Sequence, residues 1–267
     1  MGTFPGAGAD PADAEYAVVG APLDTSTTFR PGTRFGPERI RRFARPFEPY
    51  DHRTDTHLDS ILCDDGDVDP FHPTEEYLEF LRGVLTDHRD AGRVPCLLGG
   101  EHTVSVAGVR ATDPDVYVAL DAHLDLYDSY AGDDHSHATV TSHALDAVER
   151  VVILGARTGS EAEWQRAAEA DVTVVDPDSV ADWRPDFDGS AYLSVDIDAA
   201  DPGYAPGTGT PEPFGLEPTE MRRVVRAVAP DAVGFDVVEI NDRDDGQAAA
   251  LGARLLTEFV FTHAQSR

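Results

Sequence analysis

Short apolar runs rich in β-branched residues alternate with helix-like segments along most of the chain, and this alternation constrains the fold more than any other feature. The strand-like runs are residues 16–20, 94–98, 116–120, 151–154, 172–175, 191–195 and 232–238. The spacing of apolar residues predicts helices at 37–44, 74–89, 160–170, 219–228 and 246–263. Strands that alternate with helices predict an α/β fold with a largely parallel sheet covered on both faces.

Residues that can bind metals directly follow several of these predicted strands. They are His102 after run 94–98, Asp121, His123 and Asp125 after run 116–120, and Asp196 and Asp198 after run 191–195. If the strand continues past residue 120, the two-residue period places Asp121, His123 and Asp125 on one face. Ligand sites of open parallel sheets lie at the carboxyl ends of the strands. We therefore expect these six side chains to meet at one rim of the sheet.

Four carboxylates and two imidazoles at one rim predict a site for two metal ions, because they are too many for a single zinc ion. A ligand set of this kind favours hard or borderline ions, and Mn²⁺ over Zn²⁺. Each residue alone also has a structural explanation, since Asp often caps a helix and His is often a satisfied polar group. Together, however, crowded carboxylates repel one another unless cations compensate. Two ions roughly 3.5–4 Å apart can activate a shared water, which predicts hydrolysis.

Two further residues have chemistry that suits such a reaction. His137 is a candidate proton shuttle, and Glu239, which follows run 232–238, is a candidate partner for a cationic substrate group. The residues alone decide neither assignment. His135 and His143 lie in the same polar stretch as His137, and the chain around Glu239 is acidic throughout.

The charge balance restricts the partners of the protein. Its 267 residues include 50 Asp or Glu against 21 basic residues, all of them Arg, so the formal net charge is −29. Such a chain is expected to repel nucleic acid and anionic lipid and to attract a small cationic substrate. A more general explanation is a halophilic protein, because surface charge governs solubility more often than substrate choice.

Cysteine content and the termini indicate the compartment. Cys63 and Cys96 form no disulfide framework, and Cys96 is expected in the core. Residues 1–14 lack a signal-peptide pattern, and no apolar run is long enough to span a bilayer. We therefore expect a cytoplasmic protein with no membrane partner. Residues 201–215, with four Pro and four Gly, are predicted to form an ordered loop at the site rather than a linker.

Taken together, the motifs resemble those of the ureohydrolase family, which includes arginase, agmatinase, guanidinobutyrase and formimidoylglutamase. The matching segments are 30–37, 99–105, 121–125, 194–202 and 207–212. The resemblance runs from about residue 20 to about residue 242. It implies a single domain over 1–267, a three-layer α/β/α sandwich around a mainly parallel, about eight-stranded sheet, and assembly as a homotrimer or homohexamer.

The resemblance also implies roles for individual residues, with two Mn²⁺ per chain. One ion would be held by His102, Asp121, Asp125 and Asp196, and the other by Asp121, His123, Asp196 and Asp198, so that Asp121 and Asp196 bridge. Asp125 then counts as catalytic, together with His137 as proton shuttle and Glu239 as the carboxylate that binds the guanidinium. The implied reaction is hydrolysis of a guanidino group to urea and an amine.

Within the family, segments 136–139 and 155–164 look more like agmatinase than arginase, and the second contains Arg157 and Glu163, which are predicted to bind substrate. In the loop after the metal motif, Asp128, Asp133 and Asp134 are expected to repel the carboxylate of arginine and to tolerate an amine. We therefore expect agmatine as substrate, with putrescine and urea as products, and a role in polyamine biosynthesis. The alternatives are arginase, guanidinobutyrase, formimidoylglutamase, and a dinuclear phosphoesterase, which would need a cationic phosphate clamp.

Overall fold

The computed structural model describes residues 2–267, and an eight-stranded sheet forms its centre. The strands are β1 (Tyr16–Ala21), β2 (Tyr50–Asp51), β3 (Thr56–His57), β4 (Leu62–Asp67), β5 (Val94–Gly99), β6 (Val116–Leu120), β7 (Arg150–Leu154), β8 (Val172–Val175), β9 (Ala191–Asp196) and β10 (Ala232–Val238). The sheet has the order β4-β1-β5-β10-β9-β6-β7-β8 with every pairing parallel, and β2 and β3 form a separate antiparallel pair. The predicted α/β fold with a parallel sheet is confirmed.

Helices cover both faces of the sheet. They are α1 (Gly36–Ala44), α2 (Thr74–Asp90), α3 (Ser105–Thr112), α4 (Val140–Leu145), α5 (Glu161–Glu169), α6 (Pro177–Val180), α7 (Pro218–Val228) and α8 (Gln247–Ser266). Buried side chains of α1, α7 and α8 share one apolar core with the sheet, whereas those of α2, α3, α4 and α5 belong to separate cores. The sheet is therefore the middle layer of three. None of the helices within residues 2–267 is long and apolar enough to cross a membrane.

All seven predicted strands and all five predicted helices are present, with ends shifted by a few residues at most. Strands β5, β6 and β9 are buried along their whole length, which explains why they occur as unbroken apolar runs. Cys96 is buried in the core, as expected.

Strand β4 was not predicted, because three of its six residues are aspartates. Its acidity is compensated by buried Arg41, whose Nε donates to Asp64 Oδ2 at 2.8 Å and whose Nη1 pairs with Asp67. The short helices α3, α4 and α6 were also missed. Helix α3 is buried on almost all sides and so lacks the polar stripe by which a helix is recognised in a sequence.

Candidate metal centre and active site

The four central strands of the sheet end at one rim, and the candidate residues lie there. His102 begins a 3₁₀ turn after β5, Asp121 follows β6, Asp196 is the last residue of β9, Asp198 lies in the 3₁₀ turn after it, and Glu239 follows β10. Because β5, β10, β9 and β6 are neighbours, their carboxyl ends bring together side chains that are far apart in the sequence.

A first group of possible ligands surrounds the imidazole of His102. Its Nδ1 lies 2.9 Å from Asp125 Oδ2, 3.2 Å from Asp121 Oδ2 and 3.6 Å from Asp196 Oδ2. His102, Asp121 and Asp196 each offer a ligand atom within 4.8 Å of the others, and all three are buried. Ligand types and spacing suit one divalent cation.

The second group surrounds His123. The Nδ1 atom of His123 lies 3.0 Å from Asp198 Oδ2 and 3.6 Å from Asp121 Oδ1. Asp121, His123 and Asp198 again offer atoms within 4.8 Å of one another. Asp121 thus faces His102 with Oδ2 and His123 with Oδ1, and its bridging of two ions stays a prediction. The sharing of Asp196 between two ions, and ligation by Asp125, stay predictions.

The expectation that Asp121, His123 and Asp125 lie on one face of a continuing strand is wrong. Strand β6 ends at Leu120, and Asp125 has a left-handed backbone with φ of 50°. The side chains converge because the chain turns tightly, and Asp121 Oδ1 accepts a hydrogen bond of 2.6 Å from the amide of His123. The residue types were predicted from the sequence, but the backbone path that gathers them was not.

The carboxylates of the cluster are buried close together, which opposes their ionisation. Burial and the neighbouring carboxylates of Asp198 and Asp121 raise the pKa of Asp196 well above its ordinary value. Burial and Asp121 likewise raise the pKa of Asp125 to about 7. Burial opposes ionisation of Asp121 as well, but hydrogen bonds from His102 and His123 outweigh it and lower the pKa of that residue. Divalent cations neutralise such a cluster, so the donor set fits two hard or borderline ions.

A cavity of about 240 Å³ opens beside the cluster, with His123 and Asp125 in its wall. The wall also contains the carboxyl group of Glu163 and the rings of Tyr127 and Tyr130, which lie 5.1 Å apart. No Arg or Lys of residues 2–267 lines it. The cavity wall therefore holds acidic and aromatic residues and two histidines, but no Arg or Lys from the described part of the chain.

His137 lies in the cavity wall, where a proton shuttle would be needed. Its backbone amide donates to Ser26 Oγ at 2.9 Å, which holds the residue in place. Its Nε2 atom is buried and has no hydrogen-bond partner within residues 2–267. Burial, reinforced by the charges of His123 and His102, lowers the pKa of His137 to about 4. The ring is thus neutral near pH 7, with one nitrogen free for a ligand.

Glu239 is buried directly after the end of β10, with a left-handed backbone at φ 62°. Its Oε1 accepts a hydrogen bond of 2.8 Å from the amide of His102, and within residues 2–267 Oε2 has no such partner. Burial raises the pKa of Glu239 well above its ordinary value. The hydrogen bond from His102 acts in the opposite direction, and the nearby charge of Glu101 raises the pKa further. A cationic group at Oε2 would compensate the buried charge.

The two residues predicted to bind substrate have different surroundings. Glu163 lines the cavity, but its Oε2 accepts from the amide and hydroxyl of Ser160 at 2.8 and 2.9 Å, and its Oε1 accepts from the amide of Leu126 at 3.2 Å. Arg157 is not part of the cavity wall. Its guanidinium donates to backbone carbonyls of Gly155, Asp198, Ala199, Ala200, Glu212 and Pro213. Arg157 thus supports loop 200–216, and its role in substrate binding stays a prediction.

That loop is ordered, as predicted. Besides Arg157, it is held by Asp201, whose Oδ2 accepts from the amide of Phe214 at 2.8 Å. The carboxylates expected to repel an amino-acid substrate, by contrast, do not reach the cavity. Asp128, Asp133 and Asp134 are absent from its wall, and Asp128 instead pairs with Arg166 at 2.6 Å.

Glu101 was not singled out in the sequence, yet it organises one side of the site. It is fully buried, and its Oε2 accepts from the amides of Thr25 and Ser26 at 2.8 Å each. Ser26 in turn holds His137. A Glu directly before a predicted metal ligand was the available signal, but its partners lie about 75 positions earlier in the chain.

The fold and the clustered carboxylates and imidazoles are those of a metal-dependent hydrolase. Comparison with known proteins gives the same result, because residues 14–262 match the arginase family. An agmatinase of Bacillus anthracis is 34% identical over 85% of this chain and 84% of its own length. A guanidinobutyrase of Pseudomonas aeruginosa is 35% identical over 92% and 85%. The crystal structure of the agmatine ureohydrolase of Thermoplasma volcanium superposes with a TM-score of 0.92 at 32% identity, covering 99% of this chain and 95% of that one.

The chain belongs to the arginase family and is a ureohydrolase. Members of this family bind a dinuclear metal centre, typically of Mn²⁺, and the two ligand groups at the sheet rim are the candidates for it. The resemblance inferred from the motifs is thereby confirmed, while the substrate is a separate question.

Proposed function

We propose that the protein hydrolyses agmatine to putrescine and urea with two Mn²⁺ bound per chain. The observation that carries this proposal is the cavity beside the ligand cluster, whose wall holds Glu163, Tyr127 and Tyr130 and no Arg or Lys within residues 2–267. A substrate with a guanidinium at one end and an ammonium at the other suits such a wall.

The six rim residues would hold the metal ions. They are His102, Asp121, His123, Asp125, Asp196 and Asp198. When bound, the two ions supply Lewis acidity and lower the pKa of water, which makes a nucleophile available near neutral pH.

Glu239 and His137 would act on the substrate directly. Glu239 Oε2 accepts hydrogen bonds from the guanidinium and orients its central carbon toward the cluster. Hydrolysis breaks the bond between that carbon and the alkyl-substituted nitrogen, and the departing amine requires a proton. His137, which is neutral near pH 7, would first accept the proton that the attacking water loses and then pass it to the departing amine from Nε2, the atom that has no partner within residues 2–267.

Selection of the tail follows from the charge of the cavity wall. The carboxylate of arginine or of guanidinobutyrate would lie beside Glu163, with no Arg or Lys of residues 2–267 in the wall to pair with it. The ammonium of agmatine would instead lie beside Glu163 and the rings of Tyr127 and Tyr130, which favour a cation. The same wall disfavours the phosphoesterase alternative, because it has no cationic clamp for a phosphate.

Urea release from agmatine, arginine and guanidinobutyrate by the Mn²⁺-loaded protein tests the proposal. We expect kcat/KM for agmatine to exceed that for the other two by at least about 100-fold, which corresponds to roughly 3 kcal/mol of discrimination. A preference for either carboxylate-bearing substrate would refute the assignment of agmatine, and no urea from any guanidino compound would refute the function.

Two variants test the cavity wall itself. In Thr158→Arg, a cation enters the wall, so we expect activity on agmatine to fall and the preference to move toward guanidinobutyrate. Asp128→Asn is the matched control, because Asp128 is exposed and outside the cavity. An unchanged preference in Thr158→Arg would contradict the proposed tail site.

Assembly as a homotrimer or homohexamer is also part of the proposal, and sedimentation analysis tests it.

A further inference from the structure

A chain of hydrogen bonds runs from the metal-facing histidine into the interior, away from the cavity. The Nε2 atom of His102 lies 3.1 Å from Ser194 Oγ, and Ser194 Oγ donates to Asp236 Oδ1 at 2.6 Å. Ser194 and Asp236 lie on the adjacent strands β9 and β10, where they are paired in register. All three residues are at most 1% exposed.

These hydrogen bonds have a defined direction from donor to acceptor. A carboxylate oxygen only accepts hydrogen bonds, so the single proton of the Ser194 hydroxyl is directed at Asp236. Ser194 Oγ therefore presents a lone pair to His102, which forms a hydrogen bond with Nε2 when that nitrogen carries the ring proton, and Tyr117 Oη, 3.0 Å from Nε2, can accept from the same proton. Nδ1 is then left with the free lone pair, and it is Nδ1 that faces Asp121 and Asp125 at 3.2 and 2.9 Å.

We propose that Asp236, acting through Ser194, sets the tautomer of His102 in which Nδ1 is the metal-binding nitrogen. Asp236 is a positioning residue, because it touches neither the cavity nor the ligand cluster. The inference rests on the proposed role of His102 as a metal ligand. Asp236 is fully buried, and its other oxygen, Oδ2, has no hydrogen-bond partner within residues 2–267. Hydrogen-bonded partners of this kind typically change metal affinity by about 10–100-fold when they are removed.

Tyr117 provides a matched comparison. Its hydroxyl lies 3.0 Å from the same Nε2 atom and is equally buried. Ser194, not Tyr117, makes the short hydrogen bond to Asp236. If contact with any hydroxyl were sufficient, Tyr117→Phe and Ser194→Ala would have similar effects on metal binding.

The test uses the purified full-length protein, stripped of metal and titrated with Mn²⁺, with free Mn²⁺ followed by its electron paramagnetic resonance signal. Asp236→Asn keeps the size of the side chain, but its amide can donate to Ser194 and so reverse the direction of the hydrogen bonds. Ser194→Ala removes the hydroxyl that joins Asp236 to His102. In both variants we expect one of the two ions to bind about 10–100-fold more weakly and the other to bind as in the wild type. In Tyr117→Phe we expect a change of less than about threefold. A further control is Asp64→Asn, which removes a buried carboxylate that lies on the edge strand β4 and pairs with Arg41, and it should leave affinity unchanged.

The outcomes separate this inference from the proposed function. Wild-type affinity in both Asp236→Asn and Ser194→Ala would overturn the inference while leaving the function intact. An equal loss in Tyr117→Phe, or a similar loss in Asp64→Asn, would also overturn it, since the effect would then follow from packing or stability. Failure of the wild type to bind two Mn²⁺ would overturn the metal centre and the inference together. If Asp236→Asn does not fold, Ser194→Ala carries the test, because Ala is tolerated sterically wherever Ser fits.

Discussion

Replacing Arg157 with alanine distinguishes a residue that binds substrate from one that supports a loop. Five hydrogen bonds of 2.8–3.2 Å, and a sixth of 3.5 Å, join its guanidinium to backbone carbonyls on both sides of loop 200–216. One of these carbonyls belongs to Asp198, a predicted metal ligand. Arg157→Ala leaves this set of acceptors without their donor.

The expected cost follows from the number of bonds. At a net value of about 0.5–1.5 kcal/mol each, the five shorter bonds amount to roughly 3–7 kcal/mol. Arg157 is only half-buried, so water replaces part of what is lost, and we expect a decrease of about 3 kcal/mol in the free energy of unfolding. For a chain of this size the melting temperature should fall by roughly 6–12 °C.

Urea denaturation and urea-release kinetics on the same preparation measure both properties. Arg82→Ala is the control, because Arg82 makes an exposed pair with Glu79 and should cost at most about 0.5 kcal/mol. In Arg157→Ala we expect lower stability, weaker metal retention and a fall in kcat. An unchanged stability together with a raised KM for agmatine would refute the loop-support role and restore the role in substrate binding.

Three further predictions concern the rest of the molecule. Burial, helped by the charge of Arg267, lowers the pKa of His263 to about 4, below the value of about 6.5 expected in the unfolded chain. As pH falls, the unfolded state therefore takes up a proton before the folded state does, and the free energy of unfolding decreases by roughly 3 kcal/mol between about pH 6.5 and pH 4. In His263→Gln, urea denaturation should no longer show this part of the acid sensitivity. Gly100→Ala should lower the free energy of unfolding by about 3 kcal/mol or more, because a Cβ there would lie 1.9 Å from the carbonyl oxygen of Leu23. Gly83→Ala is the control and should raise it by about 0.5–1 kcal/mol, because a Cβ there has nothing within 4 Å. A Gly100→Ala protein as stable as the wild type would contradict this reasoning. Finally, the net charge of −29 predicts that the melting temperature rises between about 0.1 and 1 M salt, as the screening length shrinks from about 10 to 3 Å, and a flat or falling curve would contradict a high-salt protein.

Strands that are buried on both faces were predictable because their burial appears directly as an apolar run. Strand β6, Val116–Leu120, is such a case. Strand β4 was not predictable, because a segment with three aspartates is typical of a solvated loop. In the folded protein, Arg41 of helix α1 compensates the charges of Asp64 and Asp67. A strand that depends on a distant counter-charge has no local signature.

The candidate site divides in the same way. Its ligand types were predictable, because each lies next to a strand end. The positions of Arg157 and of Asp128 were not, since the direction of a long or exposed side chain depends on which acceptors the folded chain presents. Arg157 donates to backbone carbonyls of loop 200–216, and Asp128 pairs with Arg166.

The sequence by itself determined the parallel sheet, the rim that carries the site and the residue types able to bind metal, because periodicity and strand ends are local properties. Only the tertiary structure decided how the ligands are grouped, with Asp121 between His102 and His123, and which groups lie behind them. It also decided the charge of the cavity wall, which bears on the substrate. These features depend on strand order, and strand order brings Ser194 and Asp236 beside His102 although they are 92 and 134 positions away. Contacts over such separations arise from packing the whole sheet, so no local pattern predicts them.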